Sequence, residues 1–254
     1  MNPSGLEPGI LLPGFLAGLI VLATHVPLGR EVLKRGIIFI DLAIAQVAGL
    51  GVIAAGAAGW DPHGISAQVA AVGAALVAGF GLTWTETHFA EVQEAIIGAL
   101  FILAATAGLI LLANDPHGGE ALRDLLVGQI LWVDYAQLIP ALGVTIAVLA
   151  LWLPARRRLR SAWFYVLFAF SVTASVQLVG IYLVFASLIL PALATRRLPF
   201  GRAVVIAYAC GAAGYAIGLV ASALFDLPSG AVVVWALTGV ALATGTLSRR
   251  LPRA

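Results

Sequence analysis

Long apolar runs separated by short polar punctuation fill this chain almost from end to end. They predict helices at 10–28, 36–59, 66–85, 92–113, 135–153, 162–179, 181–195, 202–225 and 230–248. A helical span of a bilayer's hydrocarbon core takes about 20 mostly apolar residues. The sixth and seventh runs together cover SAWFYVLFAFSVTASVQLVGIYLVFASLILPALAT, too long for one span and barely long enough for two. That length points to a broken or re-entrant helix near Val179-Gly180. The expected fold is all-α, a polytopic membrane bundle of eight or nine transmembrane helices forming a single domain over 1–254.

Composition agrees with the pattern. Of 254 residues 61% are hydrophobic and 10% charged, against roughly a quarter charged in soluble domains. The lone cysteine, Cys210, excludes a disulfide framework and a cysteine-built metal site. The first nine residues, MNPSGLEPG, carry Glu7 and no Lys or Arg, unlike a signal-peptide leader, so the first helix is expected to be retained. Small residues four apart, as at Gly214 and Gly218, suit close helix packing.

Charge sets the orientation. Thirteen of the fourteen Lys and Arg residues fall in four groups: Arg30, Lys34 and Arg35; Arg156, Arg157, Arg158 and Arg160; Arg196, Arg197 and Arg202; and Arg249, Arg250 and Arg253. Nine crossings put every group on one side, which the positive-inside rule makes the cytoplasm. The N-terminus is then outside and the C-terminus inside, and the opposite loops carry Asp61, Asp115, Glu120, Asp124, Asp134 and Asp226 with Arg123 as their basic residue. Basic residues placed as topology signals, not along one helix face, do not describe a nucleic-acid binder.

Ionisable groups inside spans are costly and so mark function. Asp41, in GIIFIDLAIAQVAGLGV, has no basic neighbour in sequence nearer than Arg35, and Gln46 follows it; helix packing and an ion pathway are both open to it. Glu94 opens the fourth predicted helix, where the macrodipole favours a carboxylate. The tetrapeptide Asp-Pro-His-Gly occurs twice, ending His63-Gly64 and His117-Gly118, on loops expected to face outward. It suits a tight turn and could also attract a divalent ion. His25 and His88 stand alone and are expected to be solvated or hydrogen-bonded. No His-Glu-x-x-His, Gly-x-Ser-x-Gly or phosphate-binding loop is present, so the chain is not expected to be an enzyme, and any ATP hydrolysis belongs to a partner.

From end to end the chain resembles the integral membrane permease subunits of bacterial zinc/manganese ABC importers. PGFLAGLIVLATHVPLG resembles their first helix. EVQEAIIGALFILAATAGLILL is similar to their acid-x-x-x-Gly segment, with Glu94 and Gly98 in place, and DLLVGQILWV to a short Leu-Phe-Gly-Asp-x-Leu element, with Gln129 where an Asp is usual. VGIYLVFASLILPALATRR, with Pro191, Ala192, Ala194 and Thr195, is the strongest match, and Asp226-x-Pro228-x-Gly230 fits the last turn.

The resemblance implies a homodimeric permease in the bacterial inner membrane, driven by a cytoplasmic ABC ATPase and fed by an extracytoplasmic metal-binding protein. It binds no permanent cofactor, and the divalent ion is its cargo. A degenerate permease-like scaffold or regulator and an ATP-independent metal channel or carrier are the alternatives. The transport pathway would include Asp41, Gln46 and Glu94; metal ligands would come from Asp41, His63 and His117; Arg30, Glu31 and Arg35 would meet the ATPase.

Two departures stand out. The family's second helix carries Gly-Asp-x-x-x-His-Ala, whereas here Ala45 or Gln46 fills the histidine place, depending on which end is counted from. Asp41 and Gln46 lie about 140° apart on a straight helix, where residues four apart share a face. Carboxylate and amide oxygens suit Mn²⁺ or Mg²⁺ better than zinc. The second departure is in WLPARRRLRSAWF, which passes directly into the next span, where the family has about twenty residues supplying the helices that dock on the ATPase.

Overall fold

The computed structural model describes residues 7–61, 64–113, 115–155 and 161–248. These form ten α-helices: α1 Pro8–Arg35, α2 Ile40–Ala57, α3 Ile65–His88, α4 Gln93–Leu112, α5 Gly118–Val127, α6 Tyr135–Ala155, α7 Ser161–Val179, α8 Ile181–Ala194, α9 Phe200–Phe225 and α10 Ser229–Ser248. Single 3₁₀ turns, Ala90–Val92 and Ile130–Trp132, precede α4 and α6. Eight of the helices are long and apolar enough to cross a membrane; α8 is apolar but has 14 residues. Each predicted span coincides with one observed helix, and the chain is a multi-pass membrane protein.

Contacts between helix ends fix the up-and-down order. Call the face where α1 begins proximal and the face where it ends distal. At the distal face Arg30 on α1 donates to the Thr195 carbonyl just beyond α8 (3.3 Å), and Ser248 at the end of α10 donates to the Ala194 carbonyl (3.1 Å). Arg35 pairs with Glu86 of α3 (3.7 Å), and its guanidinium lies 4.3 Å from the centre of the Phe164 ring, at the start of α7. So α1, α3, α8 and α10 end distally and α7 begins there. The short α8 therefore runs from the proximal toward the distal face, antiparallel to α7.

The break between α7 and α8 is the single residue Gly180, whose φ of +79° only glycine adopts without cost. Fourteen residues of helix span about 21 Å, less than the roughly 30 Å hydrocarbon core. The turn thus lies below the proximal surface, and the segment from α5 to the Ile130 turn covers it. A Cβ on Gly128 would collide with the Val179 carbonyl, one on Gly230 with the Val127 carbonyl, and one on Gly14 would come 2.8 Å from the Ile130 oxygen. Glycines thus let four helix ends close around this segment.

Two details differ from the expectation. The first helix does not stop at Pro27 but continues to Arg35, where Gly36 at φ 71° caps it. Proline has no N–H for the carbonyl four residues back, which is that of Ala23, and the Tyr208 hydroxyl on α9 donates to that carbonyl at 2.8 Å. A partner from another helix thus satisfies what Pro27 leaves open, and α2 starts later, at Ile40. The second difference is α5, which no apolar run announced.

Candidate ion pathway

Burial separates central from peripheral helices. The best apolar windows of α7 and α2 are 67% and 61% buried, against 17% for the one in α4. Polar groups on α1, α2 and α7 are therefore held away from lipid, where ionisable groups mark function.

Asp41 lies in the first turn of α2, fully buried, and neither carboxylate oxygen has a hydrogen-bond partner. The unpaired N–H groups of a helix N-terminus favour an anion there. Gln46 is nearly buried on the same helix. Glu94, in the first turn of α4, reaches to the α1–α2 turn, where Oε1 accepts from the Phe39 backbone N–H at 3.2 Å; its buried Oε2 is unpartnered. Two carboxylates therefore bracket the N-terminus of α2, Asp41 on it and Glu94 beside the residue that precedes it. Next to Glu94, Gln93 donates to the Leu82 carbonyl at 3.0 Å.

The other sequence candidates lie elsewhere. His117 precedes α5 at the proximal face, exposed, with Nδ1 3.6 Å from Glu120, so it and Asp41 stand at opposite faces. His63 lies outside the described residues. Among the described residues no three His, Cys, Asp or Glu side chains group to hold a metal ion. Glu31 and Arg35 pair on α1 at 3.2 Å, and Arg30 is tied to Thr195, with its guanidinium 5.6 Å from the Phe200 ring centre. All three lie at the distal face. The basic run 156–160 is outside the described residues.

His25, expected from the sequence to be solvated or hydrogen-bonded, is hydrogen-bonded. It is fully buried in α1, its Nδ1 2.9 Å from the Val21 carbonyl and 3.1 Å from Thr24 Oγ1, with Nε2 unpartnered. Ser171 on α7 donates to the same Thr24 hydroxyl at 2.7 Å. Helical spacing alone does not mark His25 as buried, because the helices packed against α1 are distant in sequence.

Solved structures share this architecture. One described as PsaBC from Streptococcus pneumoniae in complex with Fab superposes with a TM-score of 0.78 at 20% identity, covering 99% of each chain. Another, described as an inward-facing conformation of a putative metal-chelate type ABC transporter, gives 0.66 at 16% identity over 97% of this chain and 89% of that one. At these identities the likeness is one of fold. The model of the ABC 3 transport family matches residues 8–164 and 157–247, two stretches that overlap at the α6–α7 connection. Together they take in nearly all of the described helices, and this chain belongs to the ABC 3 transport family.

Proposed function

We propose that this chain is the membrane permease subunit of an ABC importer for a divalent transition-metal ion of the zinc/manganese type. It works as a homodimer in the bacterial inner membrane, energised by a separate cytoplasmic ATPase and supplied by an extracytoplasmic metal-binding protein. The observation that carries the reading is Asp41, a fully buried carboxylate with two unpartnered oxygens at a helix N-terminus. Such a group is costly in a membrane unless a cation or proton visits it. Family membership supplies the ABC setting, and the description of one fold relative as a metal-chelate type transporter supports the choice of cargo.

The distal face, which gathers Lys34, Arg35, Arg196 and Arg197, is the cytoplasmic one by the positive-inside rule. Asp41 and Glu94, both at distal helix starts, then stand at the cytoplasmic exit. His117, exposed at the proximal face, stands where the binding protein delivers the ion. Oxygen donors at Asp41 and Gln46 suit Mn²⁺.

The test is uptake of radioactive Mn²⁺ or Zn²⁺ into proteoliposomes holding the chain, its ATPase and its binding protein, with ATP. Asp41→Ala is expected to lower uptake at least tenfold, and unchanged uptake overturns Asp41's role.

One observation favours a second reading, a permease-like scaffold or regulator without ATP-driven transport: in the sequence WLPARRRLRSAWF passes directly into the next span, where the family has about twenty residues supplying docking helices. Copurification of an ATPase whose hydrolysis responds to the permease decides for transport, whereas its absence decides for the scaffold. Metal flux through the chain alone, without ATP, would make it a carrier.

A further inference from the structure

From Tyr135 to the end of the chain there are ten arginines and one acid, Asp226, which is exposed at the proximal face. Three of these arginines lie among the described residues, and they gather at one distal corner. Arg196 and Arg197 form the α8–α9 turn and Arg202 lies in the first turn of α9, all three exposed. Arg30 adds its charge from α1, held between the Thr195 carbonyl, one residue before Arg196, and the Phe200 ring, two residues before Arg202. Glu31, the acid beside Arg30, is taken by Lys34 and Arg35. Among the described residues no carboxylate pairs with any of the four guanidiniums. Like charges gathered this way repel one another and draw in an anion.

The surroundings say which anion. Below Arg202 the exposed positions of α9 run Val205, Ala209, Ala216 and Val220, which with Arg202 fall within an arc of about 60° on the helix wheel. Arg202 thus heads an outward apolar stripe, where a long cationic side chain reaches up from hydrocarbon to the headgroup layer. Leu193, at the end of α8, and Phe200 are 41% and 40% exposed beside it. A topology signal needs only net charge on one side. Guanidiniums grouped at the head of an apolar stripe offer more, because each fork binds a phosphate through two parallel N–H bonds, and basic sites between membrane helices on the cytoplasmic side take lipid headgroups.

We propose that Arg196, Arg197 and Arg202 hold the phosphodiester of an anionic phospholipid, whose acyl chains lie along the α9 stripe. The site needs only the distal face to lie at a membrane surface, and it is independent of the ion carried. Its place gives it a structural effect. The turn it neutralises follows Thr195, held by Arg30 of α1, and the Ala194 carbonyl, held by Ser248 of α10. A bound phosphate therefore strengthens the corner where α1, α8, α9 and α10 meet.

The experiment is native mass spectrometry of the full chain released from detergent micelles that contain equal amounts of dioleoyl phosphatidylglycerol and dioleoyl phosphatidylcholine. The parent is expected to retain one phosphatidylglycerol per chain, preferred at least tenfold over phosphatidylcholine, and to melt several degrees higher with the anionic lipid than with the neutral one. R196Q/R197Q/R202Q should bring the preference close to one and remove the difference in melting. Lysine at the same three positions keeps the charge but loses the fork, so its preference should fall between the two. Arg123→Gln, which removes a charge from the proximal face, should keep the full preference. Equal retention of the two lipids by the parent, or an unchanged preference in the triple glutamine variant, overturns the proposal. So does a preference abolished by millimolar inorganic phosphate, which would make this a site for a free anion. Loss of a copurifying ATPase from the triple variant with the lipid preference intact would overturn it too, and would give the corner to a protein partner.

Discussion

At the residue scale, single polar atoms do two different jobs in this bundle. Some repair the backbone. Pro27 sits mid-helix because the carbonyl it leaves unpaired is taken by Tyr208 from α9, and without water in the bilayer such a repair must come from the protein itself. Tyr208→Phe should therefore cost about 0.6 kcal/mol, the usual worth of an interhelical hydrogen bond in a membrane. The mechanism is specific enough for a stricter test. In a Pro27→Ala background the Ala23 carbonyl regains its own helical N–H, so the cost of Tyr208→Phe should shrink toward zero. Reversible unfolding in mixed micelles measures both, and equal costs in the two backgrounds would remove the link between the proline and the tyrosine. Others, such as the Asp41 carboxylate and His25 Nε2, are buried without a partner and repair nothing.

At the element scale, the α7–α8 hairpin and the α5 segment above it depend on backbones touching. Gly180 adopts φ +79° and lies against the backbone of Gly128, itself at φ +69°. Gly180→Ala adds both backbone strain and a collision, and should lower the melting temperature by several degrees, about 2 kcal/mol or more. Gly143→Ala, in the middle of α6 with nothing within 4 Å of an added Cβ, should be neutral or stabilising by about 0.5 kcal/mol. If the two variants melted alike, close packing at the hairpin would not be what holds α5 down. The break at Gly180 was readable in the sequence because lipid imposes a length on every span and this stretch fits neither one nor two. The distal end of α1 was not readable, since a proline ordinarily marks a helix boundary and its rescuer lies 185 residues away from the rescued carbonyl. Nor was α5, whose ten residues with Glu120, Arg123 and Asp124 give no apolar run. The candidate site divides in the same way. Asp41 declared itself as a charge within an apolar run, while the place of His25 depends on which helices surround it.

At the scale of the whole molecule, everything said of inside and outside depends on α8 being a true crossing. Asp115, just before α5, and Asp226, between α9 and α10, are both exposed at the proximal face. Four helices, α6 to α9, separate them if α8 crosses, which returns the chain to the side it left. With α8 only an excursion there would be three crossings, and the two aspartates would face opposite compartments. His88, the last residue of α3, and Arg197, between α8 and α9, are exposed on the distal face. Because Cys210 is the one native cysteine and is buried, Cys210→Ala gives a clean background for single cysteines at these four positions. In right-side-out vesicles a membrane-impermeant maleimide should label positions 115 and 226 nearly completely, and positions 88 and 197 only after detergent. Labelling of all four in the reverse sense would turn the molecule over and move Asp41 to the outer mouth. Labelling that splits 115 from 226 would reduce the crossings to eight and undo the cytoplasmic gathering of basic residues.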